Sequence, residues 1–245
     1  MTRLDEATAV RYNRDGPTDT KFRGLGLGAG GAGGLVFDFE GEDLYSYIST
    51  SSEDVEINGV VWPKLNSSDL RHSIQDVAGS LNGRVLVLRE DDSNHFGVNL
   101  PVGKFKDVEL LARITVSHVS SSNALSMILR AGGTTENVEG YALVSRFSDL
   151  YLYNYNVEDN GRSQLESDIS GEDWEDMEWM WARFRIEGSN IKIKGWLGDL
   201  GTEPSGWGVD RENTRWDEEG YISIGGAFPA ANQHLYFDYL EVIPI

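Results

Sequence analysis

Val108-Glu109-Leu110-Leu111-Ala112-Arg113-Ile114-Thr115-Val116 reads with a period of two. Val108, Leu110, Ala112, Ile114 and Val116 share one side, and Glu109, Leu111, Arg113 and Thr115 share the other. Successive side chains of an extended chain point to opposite faces, so this is a half-buried β-strand. The pattern continues outward. Leu125–Arg130, Tyr141–Arg146 and Leu150–Tyr155 follow, with Gly, Ser or Asn between them. Glu158-Asp159-Asn160-Gly161 then predicts a tight hairpin, because Asn-Gly supplies the positive φ such turns require. Further on, Phe184 and Ile186 alternate with Arg183 and Arg185, and Ile191 and Ile193 alternate with Lys192 and Lys194. Tyr221–Ile224 and Leu235–Ile243 close the chain. Short strands at regular spacing with turn residues between them mean a sandwich or barrel. No run of ten or more residues holds a helical period. Ser68–Val77 alone reads as one or two helical turns, with Asp69 as the cap.

A chain of 245 residues is long enough to bury a core as a single β-sandwich. There is no Cys, which excludes disulfides, thiolate metal sites and Cys nucleophiles. Forty acids face 21 bases for a net charge of −19. The bases are 15 Arg and only 6 Lys. This acid-rich, Lys-poor composition resembles that of proteins from salt-loving organisms, where ionic strength screens the self-repulsion. It argues against nucleic acid as a partner, since phosphate binding needs a basic face. No stretch reaches the ~18 apolar residues of a membrane span, so no membrane insertion is expected. Met1-Thr2-Arg3-Leu4-Asp5-Glu6 lacks the apolar run of an export signal.

Residues 1–34 differ from the rest. They are polar as far as Arg23, and seven of the eleven residues from Gly24 to Gly34 are Gly. Such a segment loses too much backbone entropy to form a helix or strand alone. The sequence therefore divides into an extended Gly-rich N-terminal arm, 1–34, and a β-domain, 35–245. Gly28-Ala29-Gly30-Gly31-Ala32-Gly33 matches the dinucleotide-binding glycine pattern in letters only. It precedes the strand-like Leu35–Phe39 instead of following a strand and opening a helix.

The last third of the chain carries a resemblance. Trp181-Ala182-Arg183-Phe184-Arg185-Ile186-Glu187-Gly188 is followed by Ile191–Trp196, Glu203-Pro204-Ser205-Gly206-Trp207, Gly220–Gly225 and Tyr236–Val242. This order resembles concanavalin A-like lectin/glucanase domains, in particular the laminin-G-like versions found in structural proteins of phages and archaeal viruses. Upstream, Phe37-Asp38-Phe39-Glu40 resembles the family's opening strand, and Leu86–Leu88 and Asp107–Leu111 its middle strands. The resemblance implies a two-sheet antiparallel jelly-roll sandwich over 35–245. It sets the first and last strands, with Phe37-Asp38-Phe39 and Phe237-Asp238-Tyr239, side by side.

The enzymes with this fold place two or three carboxylates along one strand face as nucleophile and general acid. Glu172-Asp173-Trp174-Glu175-Asp176-Met177-Glu178 has the wrong spacing for that and reads as a loop. Asp38 with Glu40, and Asp107 with Glu109, share strand faces, as chance provides in so acidic a chain, and read as solvated pairs. No catalytic residue is expected. His72, His95, His118 and His234 show no metal-ligand spacing. Calcium is the one cofactor the resemblance allows, and Asp91, Asp92 and Asn94 form the most oxygen-rich loop for it.

Aromatics offer a different lead. Tyr151, Tyr153 and Tyr155 fall on one face of one strand, and Trp174, Trp179, Trp207 and Trp216 fall in loops or at strand edges. Sugars stack their C–H faces on such rings beside polar groups. The ligand-binding expectation is Tyr151, Tyr153, Tyr155, Trp174, Trp207 and Trp216. Against it stands packing of the Tyr stripe beneath a loop or between the sheets. Trp181, Trp196 and Phe184 read as core or sheet-covering residues.

With the resemblance, these features predict a non-enzymatic virion protein: a tail fibre, spike, turret or capsid decoration that attaches to a host, with a glycan as ligand. It would assemble in the host cytoplasm as a homo-oligomer, joined to other virion subunits through residues 1–34. The competing expectation is a carbohydrate-active enzyme (glycoside hydrolase or lyase) or a cellular carbohydrate-binding module.

Overall fold

The computed structural model describes residues 23–24, 34–37, 39, 45–50, 55–57, 60–64, 70–81, 83–90, 96–118, 125–134, 137–146, 149–156, 161–166, 174–226 and 233–245. In chain order the strands are β1 (Arg23–Gly24), β2 (Leu35–Phe37), β3 (Tyr45–Thr50), β4 (Val55–Ile57), β5 (Val60–Trp62) and β6 (Leu70–Asp76). Next come β7 (Arg84–Glu90), β8 (Phe96–Phe105), β9 (Val108–Val116), β10 (Leu125–Thr134), β11 (Asn137–Arg146) and β12 (Asp149–Asn156). The last are β13 (Gly161–Glu166), β14 (Met180–Glu187), β15 (Asn190–Leu197), β16 (Val209–Glu212), β17 (Gly220–Gly226) and β18 (His234–Pro244).

The strands build two antiparallel sheets. The larger, of ten strands, runs β16-β15-β14-β9-β18-β7-β6-β3, with β2 on β18 and β1 on β2. The smaller, of six, runs β13-β12-β11-β10-β17-β8, and β4-β5 forms a separate ribbon. The core lies between the sheets and draws on alternate residues of each. Val108, Leu110, Ala112, Ile114 and Val116 of β9 and Ala182, Phe184 and Ile186 of β14 meet Met127, Leu129, Leu143, Leu150 and Leu152 from the smaller sheet. The β9 alternation is thus as read. Its other face is also covered, because Leu111 packs with Trp181 and Trp196 on the outside of the larger sheet.

Opening and closing strands do pair, Leu240 opposite Phe37 and Val242 opposite Leu35. Arg23–Gly24, within the Gly-rich arm, pairs in turn with Leu35 and Val36. Strand β12 pairs with β13 as a hairpin, with Gly161 already in the strand opposite Asn156 and the turn residues 157–160 outside the described residues. The helical reading of Ser68–Val77 is corrected. Residues 70–76 are β6, paired on both sides by β3 and β7. Leu70, His72 and Ile74 alternate inward, and two neighbouring strands outweigh a local turn preference.

One irregularity organises the end of the sandwich where β8 turns into β9. Strand β10 bulges between Leu129 and Gly132, and Arg130 adopts a φ of 53° there. Its buried guanidinium donates to Lys106 O at 2.7 Å, Trp216 O at 2.5 Å and Gly188 O at 2.6 Å, tying three turns together. Neighbouring strands accommodate the bulge with glycine, since a Cβ on Gly220 would overlap the Arg130 backbone.

Candidate ligand-binding faces

The outer face of the smaller sheet can be read from its register. One row crosses it as Asn99, Ser223, Ile128, Ala142, Tyr153 and Gln164. The next is Gly97, Gly225, Ser126, Val144 and Tyr151. Tyr151, Tyr153 and Tyr155 therefore stand in a column on β12, as expected for alternate positions. They form a cluster of their own with Ile128, Val138, Ala142, Val144 and Tyr221, on the side of the sheet away from the main core. Tyr153 and Tyr155 are 4% and 2% exposed, whereas Tyr151 is half-buried and lies 6.1 Å from the Tyr153 ring. Tyr153 Oη donates to Gln164 Oε1 at 3.4 Å. Across the sheet on β17 and β8, buried Ser223 Oγ donates to Asn99 Oδ1, and Lys104 Nζ sits 5.1 Å above the Tyr221 ring. The accessible part of this face is its rim: Tyr151, Tyr221, Lys104 and Gln164.

The three tryptophans do not join the tyrosines. Trp174 lies in the segment before β14, but its ring is 1% exposed in the main core, with Nε1 donating to Glu178 O at 2.6 Å. Trp216 packs against the core edge, donates to Asn154 Oδ1 at 2.5 Å and carries Arg215 over its ring. Trp207 is half-buried on the other sheet, with Lys194 Nζ 4.7 Å from its ring centre. Asp91, Asp92 and Asn94 lie outside the described residues. Among the described residues, no group of three His, Cys, Asp or Glu side chains is placed to hold a metal ion.

The acids and histidines have structural partners. Asp107 accepts from Gly188 N at 2.7 Å and meets Arg130 at 3.4 Å. Glu109 is held by Arg183 and by Arg185 at 3.7 Å. Asp38 and Glu40 are outside the described residues. Asp238 is fully buried, and desolvation raises its pKa despite the Arg113 guanidinium and the Leu81 N–H beside it. His118 meets Asp176 at 2.6 Å on the surface.

A second aromatic face was not assigned to ligand binding on sequence. Trp181 and Trp196 are cross-strand partners on the outside of the larger sheet, and Tyr239 packs edge-on against Trp181 at 5.7 Å. Its signal was present, because the two tryptophans are placed symmetrically about the Gly188-Ser189 turn, which makes them neighbours.

No family model and no curated protein sequence matches the chain. Solved structures do. The cellulose-induced protein Cip1 superposes with a TM-score of 0.53 at 11% identity, over 86% of this chain and 97% of that one. The exoplasmic/lumenal domain of VIP36, in a Ca2+/Man-bound form, gives 0.52 at 12% identity, over 83% and 92%. The carbohydrate-binding module CBM66 from Bacillus subtilis gives 0.50 at 12%, over 73% and 94%. At such identities the likeness is one of fold. The fold is the concanavalin A-like jelly roll. Within it, the tyrosine column occupies the outer face of the six-stranded sheet and the tryptophan pair that of the ten-stranded sheet.

Proposed function

We propose that this concanavalin A-like domain is a non-catalytic, glycan-recognising subunit of a virus particle, serving as a structural or host-attachment protein. The glycan part is carried by one observation. The accessible rim of the tyrosine face, Tyr151, Tyr221, Lys104 and Gln164, carries aromatic rings and hydrogen-bonding groups on one side of the sheet, as sugar recognition requires. Two of the similar structures are a carbohydrate-binding module and a protein solved in a Man-bound form, which supports the same reading. The non-catalytic part is supported by the carboxylates. Asp107 and Glu109 are committed to Arg130, Arg183 and Arg185, and Asp238 is sealed from any substrate. The virion part rests on the sequence resemblance and on the Gly-rich arm as the link to neighbouring subunits. Calcium enters only through the loop with Asp91, Asp92 and Asn94.

A glycan array probed with the purified full chain tests the reading. We expect binding to a restricted set of glycans, reduced at least tenfold by Tyr151→Ala with the melting temperature unchanged. Binding that Tyr151→Ala leaves intact would remove this face from the proposal. Mass spectrometry of purified particles tests the virion part, which fails if the chain is absent from them.

A further inference from the structure

Four of the seven tryptophans, Trp179, Trp181, Trp196 and Trp207, gather over the outer face of the larger sheet. The Trp181 and Trp196 rings are nearly parallel, at 13°, with centroids 6.2 Å apart. One position along the same face, Arg183 and Lys194 stand opposite each other. Both close on the carboxylate of Glu203, and Arg183 is held by Glu109 as well. Arg183 Nη2 donates to Oε2 at 2.8 Å, and its Nε lies 2.8 Å from Oε1 without the alignment of a hydrogen bond. Lys194 Nζ lies 2.6 Å from Oε1. Burial would raise the Glu203 pKa, but the hydrogen bonds and charges of Arg183 and Lys194 outweigh it and hold it below the ordinary carboxylate range.

Glu203 does not belong to the sheet. It is carried by the strap of residues 198–208 between β15 and β16, which includes a 3₁₀ turn, Leu200–Thr202, with no buried side chain. The strap's backbone bonds, Thr202 N to Asp199 O and Glu203 N to Leu200 O, are internal. Besides Glu203, it meets the sheet through Lys194 Nζ donating to Pro204 O at 2.8 Å, Trp196 Nε1 donating to Asp199 O at 3.3 Å, Thr202 Oγ1 donating to Leu197 O at 3.4 Å, and the Lys194–Trp207 stack. At its start Gly198 has a φ of +90°, a hinge conformation that a side chain would strain. A segment whose one partly buried large apolar side chain is Trp207 sits toward the low-stability end of a fold and opens before the strands beneath it.

In a chain of net charge −19, a nearly buried Arg–Lys pair beside stacked indoles is an unusual feature. Its chemistry fits a carboxylate attached to a ring with apolar faces: the cations take the carboxylate, and the indoles, 3% and 2% exposed with the strap in place, take the ring once the strap lifts. We propose that this is a second, masked site for an acidic sugar such as a hexuronate, and that the strap inhibits it by presenting Glu203 in place of the sugar carboxylate. The site lies on the opposite sheet from the tyrosine column and rests on the proposed function only for the saccharide class of its ligand. A tethered carboxylate competes at an effective concentration on the order of millimolar, so its removal strengthens binding of a free one.

The test titrates D-galacturonate and neutral D-galactose into the full chain, wild type and Glu203→Ala, by calorimetry. Glu203→Ala is expected to bind galacturonate at least tenfold more tightly than wild type, with no gain for galactose. Adding Lys194→Met should abolish the gain. A folded Glu203→Ala protein that binds galacturonate no better than wild type overturns the proposal, and so does an equal gain for galactose. Should Glu203→Ala not fold, amide exchange of the wild type decides: strap amides exchanging ahead of β14 and β15 support the latch, and exchange in step with them overturns it. Tyr151→Ala leaves the Glu203→Ala gain unchanged, so this site and the tyrosine face can fail separately.

Discussion

His72 points inward from β6, beside Leu70 and Ile74, and is 1% exposed. Burial pushes its imidazole down to about 4. It is therefore neutral in the folded protein at pH 7, while in the unfolded chain it takes a proton below about 6.5. Its neutral form stabilises the fold fully above that value, and the contribution is lost as pH falls from 6.5 to about 4. The loss amounts to about 3 kcal/mol. Glu203, with its depressed pKa, loses stabilisation in the same direction. Asp238 works in the opposite sense: desolvation raises its pKa, so its contribution is present at low pH and lost as pH rises through its folded value. Urea melts of wild type and His72→Leu from pH 7 to pH 4 isolate the His72 contribution. The variant is expected to lose less stability over that range, by about 3 kcal/mol, and parallel pH curves would show that His72 is not the titrating group.

At the scale of strands, Lys192-Ile193-Lys194-Gly195-Trp196 shows how much the sequence could say. Its alternation gives the strand, its inward face and its outward cations, because a period of two needs no tertiary information. What it leaves open is why the inward position after Ile193 is Gly195. There Leu150 of the opposite sheet presses against the backbone, and a Cβ would overlap its Cδ1. Gly195→Ala is accordingly expected to destabilise by about 1–3 kcal/mol, as overpacking does. A chemical-denaturation midpoint equal to wild type would show that Leu150 yields. Strand β6 was misread for a related reason: its neighbours β3 and β7 decide its conformation, and Leu70-Arg71-His72-Ser73-Ile74-Gln75 has too little apolar contrast to announce them. The tyrosine column was legible as a column, since three residues at alternate positions must share a face. Its burial stood in the sequence as the competing reading, packing beneath a loop or between the sheets, and Tyr153 and Tyr155 are 4% and 2% exposed. The Glu203 latch was illegible. Arg183, Lys194 and Glu203 lie on three separate segments, and only the Gly188-Ser189 hairpin and the returning strap bring them together.

At the scale of the whole molecule, the proposed role on a particle requires a link between sandwiches. Strand β18 is flanked by β7 along Phe237 and the residues before it, and by β2 along Leu240–Val242, so β2 fills the sheet where β7 ends. Arg23–Gly24 then pairs with β2, and Gly34 is buried so closely on Glu241 that a Cβ would lie 2.6 Å from its carboxylate oxygen. Arg23–Gly24 and Leu35–Phe37 are thereby tied to the sheet, and residues 1–22 precede that tie. They are polar and contain the turn-former Asp15-Gly16-Pro17, a composition with little apolar surface to bury. Subunits repeated on a particle are related by symmetry, and an arm docking on a neighbour would join each to the next. A cut after residue 22 spares the β1–β2 pair. Deletion of 1–22 is expected to give a folded protein whose melting temperature stays within a few degrees of the intact chain, while light scattering shows oligomers of the intact chain and monomers of the truncated one. If the truncated protein aggregates or melts far lower, residues 1–22 are needed for the sandwich itself. If it assembles as before, subunit contacts lie on the sandwich and the arm is not the link.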